Sequence, residues 1–329
     1  MKRRELLGGL AGAAALRSGA GSAQQAQSLP TVAIAFASVE GDPESLQRAR
    51  SFQAGMRDLG WIDGQTVRFA GRWMGNDPAR ARTVADDLVA LKPDVILTMG
   101  TVAATALRAA TKSIPVVFVN VTDPVAGGYV ASLARPGGNM TGFTPFEYPI
   151  AGKWLALLKQ AAPGLSRVAL MGDPNNHNYR GFWGPFETTA QGLGIQPLKL
   201  PVGSAAEIEK GLEDLAAAPG GGVVVSAATF SLAHRELIFA LTARLRLPAI
   251  YWTRFFAATG GLMSYGPDTD ELYAKSAAYV SRILKGAPPA DLPVQTATRF
   301  ETVINLRTAR ALGLQIAPSL ASSADETIE

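Results

Sequence analysis

Short apolar, β-branched runs alternate along this chain with longer stretches in which apolar residues recur every three or four positions. Thr31–Phe36 (TVAIAF) reads as a buried strand. Leu46, Ala49, Phe52, Met56 and Leu59 then follow at helical spacing, with Asp42-Pro43 as cap and first-turn residue and Gly60 as the stop. Thr66–Gly71 is the next strand, and Asp77-Pro78 opens a helix with Ala81, Val84, Leu88 and Leu91 on one face. Asp94–Met99 predicts a strand, Thr101–Thr111 a helix and Pro115–Asn120 another strand. Val95-Ile96-Leu97 and Val116–Val119 are continuously apolar, as strands covered on both faces require. The rhythm predicts an α/β fold with a parallel sheet between helical layers.

The Gly/Pro-rich segment Arg135–Pro149 interrupts the rhythm and reads as a junction between lobes. The pattern then restarts, with strands at Arg167–Gly172, Ile195–Leu200, Gly222–Ser226 and Pro248–Trp252. Helices are expected over about Phe182–Gln191, Ala205–Ala217 and Ser231–Arg246. Gly261–Asp268 is a strand ending in a turn, and Asp268 caps a helix with Leu272, Ser276, Tyr279, Val280 and Ile283 inward. Lys285–Pro293, with three prolines, is a second junction. Strand-like Thr302–Asn305 and a short helix, Leu306–Leu312, lie in the tail.

The first residues read differently. Lys2, Arg3 and Arg4 precede an uncharged run, Leu6–Leu16, and a small-residue stretch, Ser18–Ala23. That run is well short of the ~20 residues a membrane span needs. It has the three parts of an export leader, with cleavage expected after Ala23. The adjacent arginines suit the twin-arginine route as well as the ordinary one. Lys2, Arg3, Arg4 and Arg17 against Glu5 account for most of the formal charge of +4. The remainder is close to neutral, which argues against a nucleic-acid or anionic-membrane partner. No later stretch is long and apolar enough for direct membrane insertion. Cysteine is absent, which excludes disulfides, thiolate metal sites, a cysteine nucleophile and a lipid anchor at the leader junction. The length left after the leader favours two cores over one.

No nucleophile elbow, P-loop, HExxH, EF-hand loop or GxGxxG motif appears, and no cofactor is implied. Of the two histidines, His177 lies in a polar stretch and His234 in an expected helix among Leu232, Leu237 and Ile238. Asp86 and Asp87 are adjacent on a helix and point to different faces, so they are no acid/base pair. Trp61 and Trp73, near turns, read as packing residues. What remains are polar residues after strands, where open parallel sheets bind ligands. These are Ser38 after the first strand, Gly100 and Thr101 after the third, and Asn120, Thr122 and Asp123 after the fourth. The Gly100-Thr101 helix start is either a plain turn or an anion site. Asp123 serves equally as a helix cap or as a partner for an ammonium. The second half contributes Asn175, Tyr179, Ser226, Trp252 and Tyr265, the three rings being suited to cover an organic ligand.

Ile114–Thr144 and Gly261–Leu320, with their DPV…ARPGGN…TG and INL…A..LGL blocks, closely resemble matching blocks of a solute-binding family. This is the family of periplasmic substrate-binding proteins of ABC importers whose best-known relatives take up tryptophan and other aromatic amino acids. The likeness spans nearly the whole chain after the leader; the ending Ser322–Glu329 departs from the commoner ARADEVIE as a surface change. The resemblance implies the type I periplasmic-binding-protein fold, two Rossmann-like lobes joined by three crossovers. These would fall near Gly142–Pro145, Ser264–Gly266 and Ala287–Pro293. Lobe one would hold residues 30–143 and 266–289, and lobe two 144–265 and 290–329. The implied partners are a small-molecule ligand, an amino acid foremost, and an inner-membrane permease. The lobe-one loops would grip the ligand's head group, and no covalent chemistry is expected. The rival readings are a secreted two-lobe α/β enzyme, a repressor-type ligand sensor and a binding protein that presents its ligand to a sensor kinase.

Overall fold

The computed structural model describes residues 29–75 and 77–329. The expected leader and its cleavage point lie outside the described residues. Lobe one begins as the spacing predicts, with β1 (Thr31–Phe36), α1 (Pro43–Asp58), β2 (Arg68–Trp73), α2 (Pro78–Ala90), β3 (Val95–Met99), α3 (Thr101–Ala110) and β4 (Val116–Val119). A further strand, β5 (Met140–Thr144), lies inside the segment expected to be only a junction. Its sequence, MTGFT, lacks a β-branched apolar run, yet all five residues are buried.

The second lobe opens with a helix the spacing did not reveal, α4 (Ile150–Ala161), whose Trp154 is wholly buried. It continues through β6 (Arg167–Gly172), α5 (His177–Gly192), β7 (Gln196–Pro201), α6 (Ala205–Ala216) and β8 (Gly221–Val225). The long helix expected over Ser231–Arg246 is two, α7 (Thr229–Ala233) and α8 (Arg235–Arg244), broken at His234. Then come β9 (Ala249–Tyr251), α9 (Arg254–Ala258) and β10 (Met263–Pro267). The chain returns to lobe one for α10 (Thr269–Leu284) and β11 (Gln295–Thr296). It finishes in lobe two with β12 (Phe300–Asn305), α11 (Leu306–Ala311), α12 (Pro318–Ser323) and β13 (Glu326–Ile328).

The first sheet is parallel throughout, in the order β11-β5-β4-β3-β1-β2. The second runs β13-β12-β10-β9-β8-β6-β7, with β12 antiparallel to β10. Three expected boundaries shift. Thr144 pairs with Thr296 in the first sheet, so the first crossing follows it. Ser264–Gly266 belong to β10 of the second sheet, so the second crossing falls at Pro267-Asp268. The third lies between Thr296 and Phe300 rather than at Ala287–Pro293, because Leu292 and Val294 fill lobe-one cores. The tail is likewise more than surface: β13 pairs with β12, and Arg254 forks onto Glu326 at 2.6 and 2.7 Å.

Two glycines set the strands that lead into the crossings. A Cβ on Gly142 of β5 would lie 1.9 Å from the Phe118 carbonyl oxygen, and one on Gly266 of β10 would lie 1.8 Å from that of Trp252. Neither strand could approach its neighbour with any other residue there.

α1 decides what faces the carboxyl-end edge of the lobe-one sheet. Asp42 caps it, accepting from the Ser45 N–H at 2.9 Å. The buried face carries Glu44, Ser45, Arg48, Ala49, Phe52 and Met56, while Leu46 and Leu59 are exposed. Phe52 and Met56 seat the helix against α10 and the sheet, each worth roughly 1.5–3 kcal/mol in buried area. The two residues one and two turns nearer the cap, Arg48 and Glu44, are therefore carried inward with them. Trp61 and Trp73 pack as expected, the one donating to Ser281 at 2.9 Å, the other stacked on Phe36 at 3.9 Å.

Candidate functional site

Between the lobes, at the carboxyl ends of β1, β3 and β4, lies a cleft of about 600 Å³ counted out to its mouth. From lobe one it is lined by Ser38, Gly100, Thr101, Asn120 and Thr122, all singled out by their strand-end positions. α1 and α10 add Ser45, Arg48 and Tyr273, which the spacing did not single out. Ser38 and Ser45 share a hydrogen bond of 2.7 Å between their hydroxyls. Gly100 holds φ +91°, a conformation that favours glycine, and its N–H donates to Val119. No side chain caps α3, so its first N–H groups open toward the cleft with the positive end of the helix dipole. Asn120 sits at φ +61° and Asp123 at +44°, strained positions of the kind that cluster at functional sites.

The lobe-two lining differs from expectation. Trp252 faces the cleft. Asn175 is exposed beside it, and its neighbours Asn176 and Asn178 line the cleft instead. Tyr179 is buried in the lobe-two core, its hydroxyl donating to Leu170 at 3.2 Å. The side chain of Ser226 is buried against Gly172, and Ala227 and Ala228 hold the cleft position. Tyr265 borders a separate cavity by the crossings, stacked on Phe300. Asp123 borders a second cavity with Tyr148, and its carboxylate caps a turn by accepting from the Ala126 N–H at 2.9 Å.

Arg48 is the most constrained charged group at the site. It is buried, bound to Glu44 one turn back on α1, and lies 5.6 Å from the Tyr273 ring and 6.0 Å from the Trp252 ring. Burial pushes the Glu44 carboxyl up, with Arg48 opposing. Burial alone would lower the Arg48 guanidinium, but Glu44 and its other neighbours leave it raised. Burial also pushes the Tyr273 hydroxyl up to about 12. Three buried polar atoms of lining residues lack a hydrogen-bond partner: Arg48 Nε, Asn120 Oδ1 and Trp252 Nε1. Orphans of this kind are costly unless a bound molecule satisfies them.

The lobes meet across the cleft. Arg235 of α8 reaches Asp42 at 3.4 Å over the mouth, while within lobe two the Tyr148 hydroxyl donates to Asn178 at 3.3 Å by the crossings. Two strand-edge loops, a helix dipole end, Arg48 and the Trp252 and Tyr273 rings thus border a small space of mixed polar and apolar lining.

The sequence model of the ABC transporter substrate binding protein family matches residues 31–328. The chain belongs to this family. The tyrosine-binding protein of Clostridioides difficile (strain R20291), a family relative by sequence, is 26% identical over 278 residues, covering 82% of this chain and 78% of its own. Among solved structures, the ABC domain from Streptococcus pneumonia in complex with L-Trp is 24% identical with a TM-score of 0.85. It covers 92% of this chain and 100% of its own. The ligand-free, open form of a Clostridium difficile substrate binding protein with adhesive properties is 22% identical, with a TM-score of 0.68 over 92% of this chain and 99% of its own. The family fold is the type I periplasmic-binding-protein architecture expected from the sequence, and its members are solute-binding proteins. Among the described residues, no helix is long and apolar enough to cross a membrane.

Proposed function

We propose that this protein captures a small amino acid between its lobes outside the cytoplasm and delivers it unaltered to an ABC permease. The observation that carries the reading is the enclosed interlobe cleft with its unpartnered buried atoms on Arg48, Asn120 and Trp252. Tyrosine and L-Trp in the printed descriptions of two relatives support an amino acid as the ligand class. The uncapped start of α3 takes the carboxylate, with Ser38, Ser45 and Thr122 around it. Trp252 and Tyr273 cover the remainder.

Closure follows from differential contact. The ligand touches both lobes only when they meet, so binding favours the closed arrangement by that difference in affinity. Arg235–Asp42 is a contact that opening breaks. Neither of its residues lines the cleft, so the pair sets the balance between open and closed forms. Residues 1–23 direct export and are removed after Ala23; the mass of the exported protein tests that cut.

A thermal-shift screen of the leaderless protein against the L-amino acids tests the main reading. Ligand at 100 times its dissociation constant adds about 2.7 kcal/mol of stability. Small-angle scattering with the best ligand should show compaction, and the ligand should be recovered chemically intact. A compound converted on incubation would replace capture with catalysis.

A further inference from the structure

The charges around the cleft are unevenly placed. Among the described residues that line it, Arg48 is the charged one. The nearby carboxylates face elsewhere. Asp42 divides its oxygens between the Ser45 N–H and the Arg235 guanidinium. Glu44 binds Arg48 from outside the lining. Asp123 holds the Ala126 N–H and borders the second cavity. Asp270, on α10, accepts from Gln47 at the surface. An ammonium entering the cleft thus meets amide and hydroxyl oxygens, Asn120 Oδ1 among them, and no carboxylate.

An anion meets a different environment. Arg48 Nε and Trp252 Nε1 are donors on buried side chains without acceptors, and Arg48 lies over the Trp252 ring. The uncapped α3 start adds a positive dipole end. Charge-assisted bonds from a guanidinium are among the strongest a carboxylate can make. A buried ammonium without a counter-charge gains no comparable compensation.

We propose that the cleft selects its ligand by a carboxylate held by Arg48 together with the uncapped α3 start, and that the ligand's amino group is dispensable. The ligand class then extends from amino acids to small monoanionic acids that lack the amine. This rests on the cleft being the ligand site, as in the proposed function, and narrows what is recognised there.

Calorimetry with matched sets decides it. Each set holds an amino acid, its deaminated acid and its decarboxylated amine: L-tryptophan, indole-3-propionate and tryptamine; L-tyrosine, 3-(4-hydroxyphenyl)propionate and tyramine; L-leucine, 4-methylpentanoate and 3-methylbutylamine. In the set that binds, the acid should fall within tenfold of the amino acid and the amine at least 100-fold below it. Arg48→Gln alone strands a buried carboxylate, so it is paired with Glu44→Gln, and a thermal melt checks that the double variant folds. That variant should lose at least tenfold for the acid and narrow the gap between acid and amine, which a merely structural role for Arg48 would leave unchanged. An amino acid that binds while its deaminated acid is 100-fold weaker overturns the inference and leaves the proposed function standing. No binding by any amino acid or acid overturns both, and undiminished acid affinity in the folded double variant removes Arg48 from recognition.

Discussion

The two lobes build their halves of the cleft by different means. Lobe one does it with backbone: a glycine with positive φ, an uncapped helix start and a strained loop put Ser38, Gly100, Thr101, Asn120 and Thr122 at one sheet edge. Lobe two does it with what its core leaves over. Its aromatic residues are drawn inward, Tyr179 among them, around Trp154, Phe146 and Phe182. Of five candidates there, Trp252 alone lines the cleft. Strand-end position therefore marks well which residues reach the cleft, while an amphipathic ring can satisfy the core or a cleft equally.

The sharpest break of this contrast is Trp154→Ala. Its ring is wholly buried between Phe146 and Phe182, and its N–H donates to Tyr265 at 2.6 Å. Urea unfolding should show a loss of about 3–5 kcal/mol. Next is the pair Gly142→Ala and Gly266→Ala, one per lobe, each expected to cost about 2–3 kcal/mol through overpacking against a neighbouring carbonyl. Only Gly266→Ala shifts Trp252, so ligand titration should weaken more for it than for Gly142→Ala. Tyr179→Phe removes one buried hydrogen bond and should lower stability by about 1 kcal/mol with ligand affinity unchanged. A tenfold affinity loss would return Tyr179 to the site.

Smaller again is Arg235→Gln at the mouth. The pair it breaks is partly exposed, so the change should be at most about 1 kcal/mol, seen as a weakening of binding of up to fivefold that high salt erases. The last effect is one of pH. The folded Glu44 carboxyl is raised above its ordinary value near 4.5, so the folded state holds this proton more tightly than the unfolded chain does. Its contribution is most favourable in acid and is lost as pH rises from about 4.5 through the folded value. Melts of wild type and Glu44→Gln across that range should show the wild type losing ground as pH rises.

Most strands were legible because two-sided burial leaves a continuous apolar run, as in Val116–Val119. β5 was not, since its pairing depends on a bare backbone at Gly142 rather than on β-branched side chains. α4 and the late crossing were missed for related reasons: Gly/Pro-rich neighbours masked the helix, and Leu292 and Val294 sit among prolines. The charged centre of the cleft is hidden from apolar spacing, because Glu44 and Arg48 are charged residues on the buried face of α1. Of the apolar face read through Leu46, Ala49, Phe52, Met56 and Leu59, the middle three are buried and the two leucines are exposed, and the buried face extends instead to Arg48 and Glu44. A signal existed: Glu44 and Arg48 are four apart and in phase with Phe52 and Met56, so a buried pair was written in the register. The lobe-two residues carried no such phase, because the choice between Asn175 and Asn176 rests on where α5 begins.

The third crossing has a consequence for how the molecule is made. α10 and β11 complete lobe one only after all of the intervening lobe-two segment, and lobe two in turn waits for β12 and β13, which follow β11. A ribosome releasing this chain therefore holds two unfinished sheets until β11 to β13 have emerged. Any truncation near residue 290 leaves both with a raw edge, exposed to sticking, rather than one finished half and one missing.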